Sequence, residues 1–497
     1  MHLPAMAATS LILLLCFYQS ETIADTEKPP EKEVAVRYTR CGGQEVAYQV
    51  TLESFAIAAQ GIRPAVDIHA WRYSRTPNDT DLSDPTRRAT LFAWSGGPGA
   101  SAMTLHMGLL GPKRINLQNS PDTGDPLAAS LEDNTECLLD LMDIVLLDPP
   151  GTGYSGSTDK DNLQYYFNSD RDAKVLADAI SQYVKRYNLW RQPRFVLGES
   201  YGAARAVKVT RELIQQGLPV SGMILLAPHL FYSCTDNVDA LCCNWNLQSY
   251  AITARYHGLS AESANKNTNL DRFLNTLKSF SNSTYLPAMI NGYEGLRQYP
   301  ESLSQTLVRY TGMTEQDFQT YGYCPSPTDF IESTLRNAQI IPALKDSRFH
   351  IPFETYTGAR TLINPIILIN QTYIPLFNEY LYTELKPEKE QPYISFNPKI
   401  LSDWQQLTGD TMNTVIDDIT ASMMAQRQLR VLALAGLYDL QIPFRAIEYV
   451  LSRPGIDPSR VNIRFLPSGH GPYVDEDGLI TVSQAIRTMV TKTLSDH

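Results

Sequence analysis

The sequence lacks several features that would assign it to a common protein class at once. It has no tract of basic residues, and 53 Asp and Glu outnumber 42 Lys and Arg, for a formal net charge of −11. Nucleic acid binding therefore has no electrostatic footprint. No segment beyond the amino terminus is long enough and apolar enough to span a membrane. The sequence has no paired C-x-x-C motifs, so we expect no zinc site, and we expect neither another metal nor a cofactor.

The amino terminus carries a short apolar run, residues 10–18, with no Lys or Arg before it. The run is too short to cross a bilayer, and polar residues with Ala24 follow it. This pattern is typical of a cleaved signal peptide. We assign residues 1–25 to a signal peptide and residues 26–35, rich in Glu, Lys and Pro, to a polar leader. The alternative is a disordered or anchoring terminus.

An even number of cysteines remains once Cys16 is removed with the signal peptide, and in an exported chain this permits disulfides. The sequence does not determine how these cysteines pair. They are Cys41, Cys137, Cys234, Cys242, Cys243 and Cys324. We expect a secreted or periplasmic protein, or a lysosomal or vacuolar one in a eukaryote. We expect it to be a monomer or homodimer that binds no nucleic acid and has no membrane span after signal removal.

Short apolar runs bounded by Gly and Pro indicate strands covered on both faces. They are residues 89–94, 143–147, 194–197, 223–226 and 430–435. Residues 46–57 and 65–73 alternate in polarity and predict an antiparallel pair. Helical spacing in residues 170–189 and 203–214 completes a β-α-β-α order. That order predicts an α/β fold with an open, mainly parallel sheet.

Residues 231–400 differ from the rest of the chain. They are rich in Asn, Tyr, Ser and Pro, with short helical patterns and no clean strand alternation. Long insertions at the active edge of a sheet are tolerated and commonly build binding sites. We predict a cap inserted between two parts of one core, residues 36–230 and 401–497.

The stretch F-V-L-G-E-S-Y-G-A-A, residues 195–204, places Ser200 between a predicted strand and a predicted helix. In that context G-x-S-x-G indicates a nucleophile, whereas the alternative is a small polar residue in a glycine-rich turn. A serine nucleophile needs a histidine base, and the histidine needs a carboxylate to orient it. In sheet hydrolases of this kind the chain order is Ser, then Asp or Glu, then His.

His470 and Asp439 fit that order best. His470 follows the apolar run 463–466 in a glycine-flanked loop, and Asp439 follows the run 430–435. Ligands bind at the carboxyl ends of strands in open α/β sheets. The alternatives are a surface histidine and an Asp that caps a turn. The competing residues lie in a predicted helix, in the cap or at the chain end: Asp417, Asp418, His257, His350 and His497.

An oxyanion in this reaction needs two backbone N–H donors. One prediction is Tyr201, the residue after the nucleophile. The other is Gly97, in the glycine-rich stretch S-G-G-P-G that directly follows the apolar run 89–94.

Taken together, these motifs resemble the serine carboxypeptidase family, peptidase family S10. W-S-G-G-P-G-A-S is similar to the family's N-G-G-P-G-C-S-S loop, and residues 147–155, L-D-P-P-G-T-G-Y-S, to its D-x-P-x-G-x-G-[FY]-S segment. G-E-S-Y-G-A, G-L-Y-D and S-G-H match its nucleophile, acid and base motifs. The matches span residues 94–471. The resemblance implies an α/β-hydrolase fold, a mixed, mostly parallel sheet with helices on both faces and a cap after the sixth strand. It also implies release of C-terminal residues from peptides with a free C-terminus.

The resemblance gives Glu199 and Ser95 a role in binding the substrate's terminal carboxylate. A Glu-to-carboxylate hydrogen bond needs a proton on one of the two groups, so we expect activity at acidic pH. The alternative for Glu199 is a salt bridge with Arg205. Ser95 stands where the family has Asn, Leu109 where many members have a second Glu, and residues 471–473 read Gly-Pro-Tyr instead of Met-Val-Pro. The substrate's terminal carboxylate thus has fewer binding groups than in the family, so a serine esterase or acyltransferase is the alternative function. A non-catalytic binding protein is the third hypothesis.

Overall fold

A computed structural model describes residues 35–76, 88–117, 129–157, 160–231, 234–235, 239–264, 269–298, 300–352, 366–404 and 411–496. These residues belong to one compact unit, Ala35–His497. The signal peptide and residues 26–34 of the polar leader lie outside the described residues, so both assignments stay predictions.

One mixed sheet of nine strands organises the described part of the chain, in the order β1-β2-β3-β7-β4-β8-β9-β12-β13. The pairs from β1 to β7 are antiparallel, and those from β7 to β13 are parallel. The predicted α/β fold is therefore confirmed. The strands of this sheet are β1 Arg37–Cys41, β2 Gln44–Ile57, β3 Val66–Arg75, β4 Ala89–Trp94, β7 Met142–Leu147, β8 Arg194–Glu199, β9 Gly222–Leu226, β12 Arg430–Gly436 and β13 Val461–Leu466. Two small ladders pair β5 Lys113–Asn116 with β6 Ser130–Asp133, and β10 Ile340–Pro342 with β11 His350–Pro352.

The central strands are apolar along their whole length because both faces of the sheet are covered. Every residue of β4 and β8 is buried. Phe92 and Val196 contact one core cluster, and Leu91 and Leu197 contact the other. Strands with two buried faces read as continuous apolar runs rather than alternating ones.

Helices pack on both faces of the sheet. The helices Ser169–Arg186 and Tyr201–Gln215 contribute to one core cluster, and Glu476–Ser495 contributes to the other. The remaining α-helices are Met103–Leu105, Ala240–Tyr256, Leu270–Phe280, Leu286–Ile290, Gly292–Gln298, Pro300–Thr311, Glu315–Tyr321, Pro327–Ala338, Ile366–Tyr380, Pro398–Asp403, Thr411–Ala425 and Phe444–Leu451. The π-helical turns are His106–Leu110, Ser281–Tyr285 and Leu381–Leu385, and the 3₁₀ turns are Lys160–Tyr166, Ala261–Ala264 and Pro458–Arg460. Among the described residues, no helix is both long enough and apolar enough to cross a membrane.

The chain between β9 and β12 is mostly helical and contains the β10–β11 ladder, which the composition of residues 231–400 did not predict. Counted over the described strands, this segment follows the seventh strand of the main sheet, not the sixth, because the short strand β1 precedes the others. The six cysteines among the described residues form three disulfides: Cys41–Cys137, Cys234–Cys242 and Cys243–Cys324.

Candidate active site

Ser200 alone connects β8 to the helix that follows it. The helix begins at Tyr201, two residues earlier than predicted. Ser200 has φ 60° and ψ −128°, a conformation that is strained for a residue with a side chain. Its backbone is tied to the next strand, since its N–H donates to Leu226 O at 2.9 Å and its carbonyl accepts from His229 N at 3.1 Å. The side chain is partly exposed at the carboxyl edge of the sheet.

The two glycines of G-x-S-x-G are required by close backbone approach. A Cβ on Gly198 would lie 1.9 Å from the carbonyl oxygen of Gly202. A Cβ on Gly202 would lie 2.7 Å from the carbonyl oxygen of Ser95. The motif therefore lets strand, turn and helix pack together around Ser200, which agrees with its reading as a nucleophile turn.

Asp439 and His470 form a buried pair at the same edge. Asp439 Oδ2 lies 2.6 Å from His470 Nδ1, and the two side chains are 1% and 7% exposed. The other oxygen, Asp439 Oδ1, accepts hydrogen bonds from the backbone N–H groups of Gln441 at 2.8 Å and Ile442 at 2.9 Å. Both carboxylate oxygens are thus satisfied, which holds the imidazole in one orientation and leaves Nε2 as its second nitrogen.

Strand order brings the three residues to one edge of the sheet. Ser200 follows β8, Asp439 follows β12 and His470 follows β13, and these strands are neighbours in the order β8-β9-β12-β13. The carboxyl ends of parallel strands meet at the same edge. The loops after β12 and β13 are joined, since Tyr438 N donates to Ser468 O at 3.0 Å. The competing acid Asp418 instead lies in the helix Thr411–Ala425, with its carboxylate 3.4 Å from Lys208 Nζ.

The glycine loop, residues 95–99, packs directly against the Ser200 turn. A Cβ on Gly96 would lie 2.6 Å from Glu199 O, 2.8 Å from Tyr201 N and 2.9 Å from Ser200 Cβ. Gly97 has φ 101°, a region that favours glycine. Neither the N–H of Gly97 nor that of Tyr201 donates to a backbone carbonyl among the described residues. The oxyanion role of these two N–H groups stays a prediction.

Glu199 accepts hydrogen bonds from Tyr473 and Thr104 and forms no ion pair with Arg205 among the described residues. The Tyr473 hydroxyl donates to Glu199 Oε1 at 2.6 Å, and the Thr104 hydroxyl donates to Oε2 at 3.3 Å. Ser95 Oγ lies 3.0 Å from Thr104 Oγ1, so Ser95 reaches Glu199 through Thr104. Arg205 pairs with Asp172 at 2.6 Å and donates to Ser95 O at 2.7 Å. The alternative salt bridge between Glu199 and Arg205 is therefore absent from this network.

A loop of the segment between β9 and β12 holds the histidine loop. This β10–β11 loop, residues 343–349, presents the Lys345 carbonyl to His470 N at 2.6 Å. Asp346 Oδ2 accepts from Gly469 N at 3.1 Å and pairs with Arg348 at 2.6 Å. A Cβ on Gly469 would lie 2.3 Å from Asp346 Cβ, so glycine is needed before His470.

Sequence reasoning missed four residues of this site. Thr104 and Tyr473 gave no signal, because only the fold brings them to Glu199. Lys345 and its loop lie in residues 231–400, where the sequence prediction rested mainly on composition. His229 follows Ser200 in the chain and met the order required of a base. Burial lowers the pKa of His229 to about 4, with a further contribution from His470, so this histidine is neutral at ordinary pH.

The segment 147–155 supports the glycine loop through a buried carboxyl. Asp148 Oδ1 accepts from Ala102 N at 3.0 Å and from the Tyr393 hydroxyl at 2.8 Å. Burial raises the pKa of Asp148 from 3.8 to about 6, and its Oδ2 has no hydrogen-bond partner among the described residues. Asp148 therefore shapes the loop beside Ser200 rather than the reacting centre. Within the described residues, no group of three or more His, Cys, Asp or Glu could hold a metal ion.

Comparisons with known proteins concern the fold and the part of the chain around Ser200. A family model described as serine carboxypeptidase matches residues 80–224, which include the glycine loop and Ser200. Serine carboxypeptidase-like 51 from Arabidopsis thaliana is 27% identical over 173 residues, covering 33% of this chain and 34% of that protein, so most of that relative's length is unmatched. Among solved structures, Kex1(Δ)p, a prohormone-processing carboxypeptidase from Saccharomyces cerevisiae, matches with a TM-score of 0.51. The match has 13% identity and covers 88% of this chain and 90% of that chain. It shows a shared fold. The chain is thus similar to serine carboxypeptidases over residues 80–224, and it has the α/β-hydrolase fold.

Proposed function

We propose that this protein is an exported serine-type carboxypeptidase that releases C-terminal residues from peptides at acidic pH. The observation that carries the proposal is the buried Asp439–His470 pair at the same sheet edge as Ser200. The match of residues 80–224 to the serine carboxypeptidase family model and the glycine loop beside Ser200 support it. The three disulfides agree with export, since disulfides persist in oxidising compartments.

In the proposed mechanism Ser200 Oγ attacks the carbonyl carbon of the last peptide bond while His470 Nε2 takes the hydroxyl proton. Asp439 stabilises the resulting imidazolium. The N–H groups of Gly97 and Tyr201 bind the oxyanion. His470 then gives the proton to the leaving amine, the C–N bond breaks, and the terminal amino acid leaves an acyl-enzyme. A water molecule, deprotonated by His470, hydrolyses that ester and restores Ser200.

Recognition of the substrate's end is the second part of the proposal. Glu199 is 7% exposed, lies one residue before Ser200 and has Tyr473 and Thr104 as donors. We propose that it shares a proton with the substrate's terminal carboxylate, with Ser95 contributing through Thr104. A contact between two carboxyl groups requires that proton, and this is the reason to expect acidic activity.

A serine esterase or acyltransferase is the second candidate. The observation that favours it concerns the residues expected to bind the substrate's terminal carboxylate. Leu109 is fully buried and apolar, and the Ser95 hydroxyl already contacts Thr104. A site without a complete carboxylate clamp would use the same acyl-enzyme on substrates that carry no terminal charge.

The decisive experiment compares a blocked dipeptide with its C-terminal amide and its methyl ester across pH. Preference for the free acid at about pH 5 that weakens as pH rises would support the carboxypeptidase. Equal or better use of the amide and the ester would support the second candidate. Absence of labelling of Ser200 by a fluorophosphonate in the folded protein would contradict both, and would favour a non-catalytic binding protein.

A further inference from the structure

Lys345 lies between the two loops that carry Asp439 and His470. Its carbonyl accepts the backbone N–H of His470 at 2.6 Å, while the preceding carbonyl, Leu344 O, accepts from Leu440 N at 3.0 Å. Ser347 N donates to Tyr438 O at 2.9 Å. These contacts place the tip of the β10–β11 loop directly on the proposed acid and base.

The ammonium group of Lys345 has no ion-pair or hydrogen-bond partner among the described residues. Among the described residues, no carboxylate oxygen lies within 4.0 Å of Nζ and no acceptor within hydrogen-bond distance. Its neighbour Asp346 is already paired with Arg348 at 2.6 Å. Part of the Lys345 side chain stays accessible to solvent. Burial lowers the pKa of Lys345, and the nearby negative charges of Glu199 and Asp439 offset part of that shift.

A substrate that ends in a carboxylate needs a cation such as Lys345 near Ser200. Asp439 repels an anion, and so does Glu199 whenever it has no proton to share; the oxygens of Glu199 also already accept from Tyr473 and Thr104. Arg205, a buried cation beside the glycine loop, is bound to Asp172. A carboxylate entering a low-dielectric site requires a charged or hydrogen-bonding partner.

We propose that Lys345 binds the C-terminal carboxylate of the substrate and supplies the charge that Ser95 and Leu109 do not. This inference rests on the proposed carboxypeptidase function and names the group that recognises its substrate. Lys345 is then a specificity-determining residue: it contacts the end of the peptide that leaves, whereas Ser200, Asp439 and His470 act on the bond that breaks.

The test measures kcat and KM of Lys345→Met and Lys345→Arg on a blocked dipeptide and on its C-terminal amide. The matched control is Lys492→Met, an exposed lysine on the last helix. We expect Lys345→Met to raise KM for the free acid about 10- to 100-fold and to lower the acid-to-amide ratio of kcat/KM by a similar factor. Lys345→Arg keeps the charge and should restore part of that ratio, and Lys492→Met should match the unmodified protein.

The outcomes separate this inference from the proposed function. An equal loss on acid and amide would overturn the inference, because Lys345 would then act through Asp439 or His470, and the carboxypeptidase would stand. An unchanged ratio in Lys345→Met would also overturn it. If the unmodified protein labels at Ser200 but does not prefer the free acid, the proposed function fails, and the inference fails with it. Lys345→Gln, which keeps a polar side chain, repeats the test should the Met variant not fold, as judged by thermal melting.

Discussion

The hydroxyl of Tyr473 donates a 2.6 Å hydrogen bond to Glu199 Oε1, across 274 residues of sequence. The two residues each stand beside a proposed catalytic group, Glu199 before Ser200 and Tyr473 three residues after His470. The ring of Tyr473 also packs on Gly108, where a Cβ would lie 2.4 Å from Cε2. The hydrogen bond from Tyr473 holds the Glu199 carboxylate in a single position. Glu199 is the group proposed to bind the substrate's terminal carboxylate.

Replacing Tyr473 by Phe should therefore disturb recognition more than chemistry. The buried oxygen of Glu199 loses its donor, which should lower the free energy of unfolding by about 1–3 kcal/mol. The acid-to-amide ratio of kcat/KM should change by about fivefold or more, because Glu199 is no longer held in one position. The control is Tyr382→Phe, at a tyrosine that is 55% exposed. Identical melting curves and ratios for the two variants would contradict this role of Tyr473.

Ser200→Ala should abolish turnover. Loss of the nucleophile should reduce kcat by about 10⁴-fold or more, whereas removal of one partly exposed hydroxyl should leave the melting temperature nearly unchanged. Initial rates on the best substrate, together with a thermal melt, check both parts. Retained activity in a variant shown by mass spectrometry to carry Ala would rule out Ser200 as the nucleophile.

Asp439→Asn should keep the fold and lose activity. The amide cannot accept the proton of His470 Nδ1 in the same way, so the imidazole adopts the wrong tautomer and kcat should fall about 10³- to 10⁴-fold. Asp417→Asn is the matched control, because Asp417 was one of the two competing acids and is exposed on the helix Thr411–Ala425. A loss of similar size in the Asp417 variant would contradict the assignment of the acid.

Gly96→Ala tests the contact between the glycine loop and the Ser200 turn. The new methyl group would lie within 2.9 Å of three atoms of residues 199–201, so the loop must shift. We expect a loss of about 1–3 kcal/mol in the free energy of unfolding and a fall in kcat of about 100-fold or more, since the oxyanion donors move apart. Gly156→Ala is the control, because a Cβ there would meet no atom within 4 Å. Equal behaviour of both variants would show that the packing at Gly96 is not required.

Asp148→Asn tests a pH dependence of stability. Burial raises the folded-state pKa of Asp148 from 3.8 to about 6, so between these values the folded protein keeps a proton that the unfolded chain has lost. The contribution of Asp148 to stability is therefore greatest at low pH and declines as pH rises from about 4 to about 6. We compare the free energies of unfolding of both proteins in denaturant at about pH 4 and about pH 7. Between these pH values the unmodified protein should lose about 1–3 kcal/mol more than the Asn variant does. The same change in both proteins would contradict the raised pKa.

The sequence determined the local elements of this protein. The apolar runs identified the five buried strands, from residues 89–94 to residues 430–435, because strands with two covered faces must be apolar throughout. The pattern around Ser200 predicted a strand, a turn and a helix, and the chain order of Ser200, Asp439 and His470 singled out three residues that the structure brings to one edge. These inferences depend on spacing along the chain, which sequence records directly.

Only the tertiary structure decided which distant groups meet. Tyr473 and Thr104 reach Glu199, Arg205 binds Asp172, and the β10–β11 loop presents Lys345 to the histidine loop. These contacts depend on how helices and loops pack over the sheet, and packing is set by the shapes of all the side chains that share the space. A polar residue in a loop has the same letter whether it faces solvent or a buried carboxylate, so its partner is settled only when the fold closes around it.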